Sequence, residues 1–233
     1  MIQGGASNVN FRRHHMSRLL YRMGALLPLL LNGPDLAREC CELEMLCWRE
    51  LGHLQQPNFD WCLPPFLRLD ADGHSVELSS PIDPKVVADR MAALEPLPLA
   101  AASPVGVNLN RLSCLLNLTS FESQWLVWSY CVKRFGHAIL PVIAISDDRQ
   151  GGEVLALLTD MPIGAVRDAV ASRRLHVWCL LDGISTDGEM PSLLSGWLSA
   201  TDQFADWIEQ PYASDSELLT ALCQAQVSLM ASR

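Results

Sequence analysis

Lysine is almost missing from this 233-residue chain: only Lys85 and Lys133 occur. Neither follows a glycine loop, and no G-x-x-x-x-G-K-[ST] motif occurs anywhere. The standard phosphate cradle of a P-loop ATPase is therefore absent from this chain. No G-x-G-x-x-G, G-x-S-x-G or H-E-x-x-H occurs either, so the sequence carries no fingerprint for dinucleotide binding, for a hydrolase nucleophile elbow or for a zinc peptidase. Charged residues make up only 18%, against 49% apolar residues, a balance that excludes wholesale disorder. The longest apolar run falls far short of the ~20 residues that a membrane-spanning helix needs. Length and mean hydropathy (+0.15) suit a chain that buries one large core or two small ones.

The charge that is present has a sign and a pattern. There are 26 acidic and 17 basic residues, a formal net charge of −9, which repels a phosphate backbone over long range. Residues 1–34 carry Arg12, Arg13, Arg18 and Arg22 and no carboxylate, whereas residues 182–233 carry eight acids against Arg233 alone. The arginines followed by the apolar run Met23–Leu31 have the order of a signal peptide. Arg22 lies against that run, however, and Asn32-Gly33-Pro34 offers no small-x-small cleavage site. The eight cysteines are scattered, and most lie in apolar runs where a free thiol acts as a small hydrophobe. The expected compartment is a reducing, cytoplasmic one.

Residues 1–15 show no apolar period and read as a disordered leader, with Met16 as an alternative start. From 16 onward Leu19, Leu20, Met23, Leu26, Leu27 and Leu30 recur at helical steps, with Pro28 expected to kink or end the helix. A second helix is expected over 36–54, a proline-rich loop over 55–82 and a third helix from Asp83-Pro84 to about Leu94. These segments make a helical N-terminal unit, 16–96, with a boundary in the Pro- and Ala-rich stretch 97–104.

The second unit, 105–233, is better punctuated. A short helix is expected over 108–116. Thr119-Ser120-Phe121-Glu122 is a capping box that opens a helix burying Trp125, Leu126, Trp128, Val132 and Phe135. Asp147–Gly152 reads as a turn, 154–158 as a short helix, Thr159–Pro162 as a turn and cap, and 163–172 as a helix burying Ile163, Val166 and Val170. Leu175–Leu181 reads as a strand and Asp182-Gly183 as a tight turn. Helix, turn, helix, strand and glycine turn is the order of a winged helix. Thr201-Asp202 caps a further helix, and 216–230 forms a terminal one. The expected architecture is mainly α: the helical N-terminal unit, then a winged-helix-like α+β unit.

Cys40, Cys41, Cys47, His53 and Cys62 are potential zinc ligands, but their spacing follows a helical period rather than convergent C-x2–4-C pairs. Asp147, Asp148 and Glu153 are the one acidic group that a metal-dependent hydrolase could use. His137 and His176 lie among apolar residues and read as satisfied, partly buried side chains, and His14-His15 reads as chance. Five of the seven tryptophans fall in the second unit at helical spacing, which suits core packing better than a base-stacking platform. As a DNA reader, the helix-turn-helix at 152–172 would present Arg167, with Arg173 and Arg174 just beyond. Residues 152–183 nevertheless carry four acids against those three arginines.

Residues 109–122, with Leu115-Leu116-Asn117-Leu118-Thr119-Ser120-Phe121-Glu122, resemble a segment of large bacterial AAA-family ATPases. Residues 154–183, with Arg174-Leu175 and Leu180-Leu181-Asp182-Gly183, are similar to the next part of the same region. Residues 201–222, with Phe204-Ala205-Asp206-Trp207-Ile208 and Glu217-Leu218-Leu219, are similar to its last part. In that family a helical, winged-helix-like region precedes the ATPase module; here the sequence stops at Arg233. The likeness spans about half the chain through short, mostly apolar motifs. It implies a non-enzymatic regulatory or recruiting region with no catalytic residue, metal or cofactor to carry over. Its partner would be a protein, either an ATPase module or further copies of itself. A DNA-binding regulator using Arg167, Arg173 and Arg174 is the alternative reading.

Overall fold

The computed structural model describes residues 3–30, 103–135, 140, 143–182 and 191–231. The helices expected over 36–54 and 83–94, the loop between them, the boundary at 97–102, the possible zinc ligands at 40–62, His137 and residues 183–190 lie outside the described residues; the wing and return strand expected over 184–200 fall partly there, and in the described remainder Leu194–Trp197 is a helical turn rather than strand. What is described is mainly helical. In chain order the elements are α1 (Gln3–Leu30), α2 (Pro104–Leu115), α3 (Ser120–Phe135), α4 (Asp148–Thr159) and α5 (Ile163–Ser172). They are followed by α6 (Arg174–Val177), α7 (Leu194–Trp197), α8 (Asp202–Trp207) and α9 (Asp215–Ala231).

α3 is the centre of the structure. Its opening is the capping box read from the sequence: Thr119 Oγ1 accepts from the Glu122 N–H at 3.2 Å, and Glu122 Oε2 accepts from the Thr119 N–H at 2.8 Å. Phe121, Trp125, Leu126, Trp128, Tyr130, Cys131 and Val132 are all buried. A helix apolar on nearly every side must be covered on every side, and α3 packs against α1, α2, α4, α5 and α8. Each buried tryptophan removes roughly 150–250 Å² from water, about 4–6 kcal/mol before conformational entropy is counted. Cys131 has its thiol pushed up by burial and behaves as the expected small hydrophobe.

α1 differs from its expected limits. The helix starts at Gln3 rather than near Met16, and it packs on α2, α3 and α4 within the same core. The stripe Leu19, Leu20, Met23, Leu26 and Leu27 is buried as the period predicts, but it continues backward through Met16, His15, Phe11 and Asn8. Two of those stripe positions are polar, which hides the period from a hydropathy reading. The Asn8 amide oxygen helps to cap α2: Oδ1 accepts from Ser103 Oγ at 3.0 Å and from the Val105 N–H at 3.2 Å. Ser103 in turn accepts from the Gly106 N–H.

Two further expectations change. Residues 148–152 are not a turn but the first part of α4: Asp147 is its N-cap, and its Oδ1 accepts from the Gln150 N–H at 2.8 Å. The glycine pair that suggested a turn instead allows close packing, since a Cβ on Gly151 would lie 2.2 Å from the Trp197 ring. Leu175–Leu181 is not a strand. Arg173 takes a left-handed conformation (φ 50°, ψ 20°) and restarts the chain as α6, where the His176 and Val177 N–H groups bond back to the Arg173 carbonyl. A seven-residue apolar run cannot by itself distinguish strand from helix.

Extended pairing among the described residues amounts to two isolated antiparallel bridges, Ala144 with Leu193 and Leu181 with Ala200. The Ile145 N–H bonds to the Ser192 carbonyl, and the Asp182 N–H to the Ser199 carbonyl, so segment 192–201 fastens both stretches. Helices at 104–115, 163–172, 202–207 and 215–231 correspond to the expected ones. No helix among the described residues is long and apolar enough to cross a membrane.

Candidate interaction surface

α4 and α5 form a helix-turn-helix. Asp160 ends α4 in the left-handed region (φ 55°), with its N–H on the Ala156 carbonyl, and Pro162 starts α5 after a three-residue connection. The inner faces close through Val154, Leu155, Leu158, Val166 and Ala169, all buried. The outer side of the turn stays open. A groove of about 690 Å³ runs along it, floored by Leu157, Met161 and Ile163 and edged by Glu153 and Asp160. Leu157, in the middle of α4, is 54% exposed.

Glu153 accepts from Arg149 Nε at 3.1 Å, one helical turn away, and Arg167 Nη2 approaches the same oxygen at 3.8 Å. Arg167 thus reaches across from α5 to the groove edge. Asp148 is exposed in the first turn of α4, and Asp147 is engaged as its cap. The three carboxylates named from the sequence therefore have separate local roles. No group of three or more His, Cys, Asp or Glu that could hold a metal occurs among the described residues.

The other two arginines part company. Arg173 is exposed at the α5–α6 junction. Arg174 turns inward: its Nη1 donates to the Asn117 carbonyl at 2.6 Å and to Glu122 Oε2 at 3.2 Å. The Glu122 side chain is only 2% exposed, and Ser172 Oγ donates to its second oxygen at 3.4 Å. The start of α3 is thereby tied to the end of α5.

Trp125, Trp128 and Trp197 are buried and Trp178 and Trp207 half-buried, so the five tryptophans of this region are packing residues. Trp125 Nε1 donates to the Trp197 carbonyl at 2.7 Å, and Trp197 Nε1 to that of Pro191 at 2.9 Å. His176 lies edge-on to Trp125, and burial lowers its imidazole to about 4, reinforced by Arg173. His15, read as chance, is a wall residue of the core. Burial lowers it to about 3, with His14 and Arg18 adding to the effect.

One polar cluster had no signal in the sequence. Glu209 Oε1 accepts from Tyr130 Oη and from Arg134 Nε, both at 2.7 Å, and Arg12 Nη1 lies 3.6 Å away. Arg134 also donates to Asp206 Oδ1 and to the Ala205 carbonyl. Only the fold brings α1, α3 and the end of α8 together at this point. Compared with known proteins, the chain matches no family model, no curated protein and no solved structure.

Proposed function

We propose that this chain is a non-enzymatic interaction and regulatory module that works through protein–protein contacts. It is similar in kind to the winged-helix-like region ahead of the ATPase core in bacterial AAA-family proteins. In this reading α4 and α5 are the helical pair of a winged-helix-like unit whose β part includes the bridged stretches 143–145, 180–182 and 192–201. The module works in a reducing, cytoplasmic setting, which suits its free and buried Cys131.

The observation that carries the reading is the groove at the α4–α5 turn. An exposed leucine in the middle of a helix, with Met161 and Ile163 beside it and carboxylates at the rim, has the apolar centre and polar edge of a protein contact. The partner is the ATPase module or another copy of the chain. Against duplex DNA as the partner stand the inward engagement of Arg174 with Glu122 and Asn117, and the carboxylate within reach of Arg167.

The test uses the purified full chain carrying a photo-crosslinking residue in place of Leu157 or, as control, of Glu217. A discrete adduct with one protein, or with a second copy, formed from position 157 only is the expected result. Hydrolysis of ATP by the purified chain would overturn the reading. So would salt-dependent binding to a duplex that is lost in Arg167→Ala and Arg173→Ala, which would replace it with a DNA-binding regulator.

A further inference from the structure

We propose that the cleft between α1, α2 and α3 is a binding site for a small, uncharged aromatic molecule bearing a carbonyl group. The cleft lies away from the α4–α5 groove and does not depend on the function assigned to that surface. It has a volume of about 440 Å³, within the range of roughly 300–1,000 Å³ typical of small-molecule sites, and such sites recur between the helices of bundles.

The chemistry of the wall sets the ligand class. Phe11, Leu109 and Val127 supply apolar surface, and Ser120 and Ser123 supply hydroxyls from the first turn of α3. None of the described residues lining the cleft is Asp, Glu, Lys or Arg. His15 is also held neutral by its burial. A charged ligand would lose its hydration with no opposite charge among the described lining residues to meet it, so a neutral occupant fits them.

Two wall residues carry buried polar atoms with no hydrogen-bond partner: Nδ1 of His15 and Nε2 of Gln124. Buried polar atoms of native proteins nearly always find partners, and unfilled ones call for a reason. Both atoms lie just beneath the cleft surface; the Gln124 nitrogen can only donate, so on turning toward the cleft its complement is an acceptor such as a carbonyl oxygen. The Phe11 and His15 rings lie with centroids 4.5 Å apart and tilted by 51°, an aromatic wall suited to a flat ring. Gly106 holds that wall close, since a Cβ there would lie 3.1 Å from the Phe11 ring. The ring's position is therefore set by packing before any ligand arrives.

The experiment is an amide-resolved NMR titration of the full chain with benzamide, which has a flat ring and a carbonyl. Benzoate serves as its charged isostere and toluene as the ring alone. Benzamide should give saturable shifts at residues around Val107, Ser120 and Ser123, with Kd about millimolar for so small a probe. Benzoate should bind at least about tenfold more weakly. Gln124→Leu should weaken benzamide about tenfold and leave toluene unchanged, while Ser123→Trp, which fills the cleft, should abolish both. No saturable shift, equal binding of benzoate, or a Gln124→Leu protein that binds benzamide as the native chain does would overturn the proposal. The spectrum of each variant reports its own fold, and Gln124→Leu decides the matter if Ser123→Trp does not fold.

Discussion

Arg174→Ala removes the guanidinium that faces the buried Glu122 carboxylate. In the variant the carboxylate keeps the Thr119 N–H at 2.8 Å, the Thr119 hydroxyl at 3.0 Å and the Ser172 hydroxyl at 3.4 Å. It loses one charge-assisted bond, a type with a net value of roughly 1.5–3 kcal/mol. The Arg174 side chain is itself 36% exposed, which keeps the effect below the upper end of that range. The Asn117 carbonyl, bonded to Arg174 at the surface, is simply rehydrated. The expected loss of stability is about 2 kcal/mol. Glu122→Ala also breaks the capping box, adding about 1 kcal/mol, for a total of about 3 kcal/mol. The double variant should fall short of the sum by about 2 kcal/mol, because each single change already breaks the shared bond. Urea titration followed by tryptophan fluorescence measures all three, with Trp125 one turn along from Glu122 as a reporter. An Arg174→Ala protein within about 0.3 kcal/mol of the native one, or strict additivity in the double variant, would refute the reasoning. Arg174 would then be a free surface cation available to a partner.

Four more outcomes are expected. Gly151→Ala forces a methyl to within 2.2 Å of the Trp197 ring and should cost about 1–3 kcal/mol. Gly164→Ala, in the exposed part of α5 with nothing within 4 Å of the new methyl, should stabilise by about 0.5–1 kcal/mol; thermal unfolding ranks the pair. His176 is lowered from 6.5 to about 4 in the fold, so below pH 6.5 the unfolded chain binds its proton first. The stability that this neutral histidine contributes is complete above pH 6.5 and is lost as pH falls toward 4. The loss reaches about 2 kcal/mol at pH 5, and urea midpoints for His176→Gln should show a correspondingly flatter pH profile there. Finally, Tyr130→Phe removes the phenol that donates to Glu209 and leaves Arg134 to satisfy that carboxylate. It should cost about 1 kcal/mol by thermal unfolding.

Sequence signals match the structure where the relevant physics is local. The capping box at Thr119–Glu122 and the hydroxyl cap at Thr201, whose Oγ1 accepts from the Phe204 N–H, are contained within four residues, and both stand as expected. The burial of Trp125 and Trp128 likewise follows from helical spacing. The strand expected over Leu175–Leu181 failed because a short apolar segment is ambiguous in itself; the other failures have distant determinants. Gly151 looks like a turn residue until Trp197, 46 positions later, is seen against it. Asn8 and His15 look like leader residues until Ser103 and the cleft give them partners or a place. The groove at the α4–α5 turn was half legible. The helix-turn-helix and its arginines could be named, but which of Arg167, Arg173 and Arg174 turns inward depends on Glu122, some fifty residues upstream.

The reach of α1 has a practical meaning for anyone cutting this gene. Because Phe11, Met16, Leu19, Leu20, Met23, Leu26 and Leu27 supply one wall of the common core, a fragment beginning at Ser103 would bare the sides of α2, α3 and α4 that they cover. Such a fragment should clump or bind dye on expression, and supplying the first thirty residues as a separate peptide should reduce both.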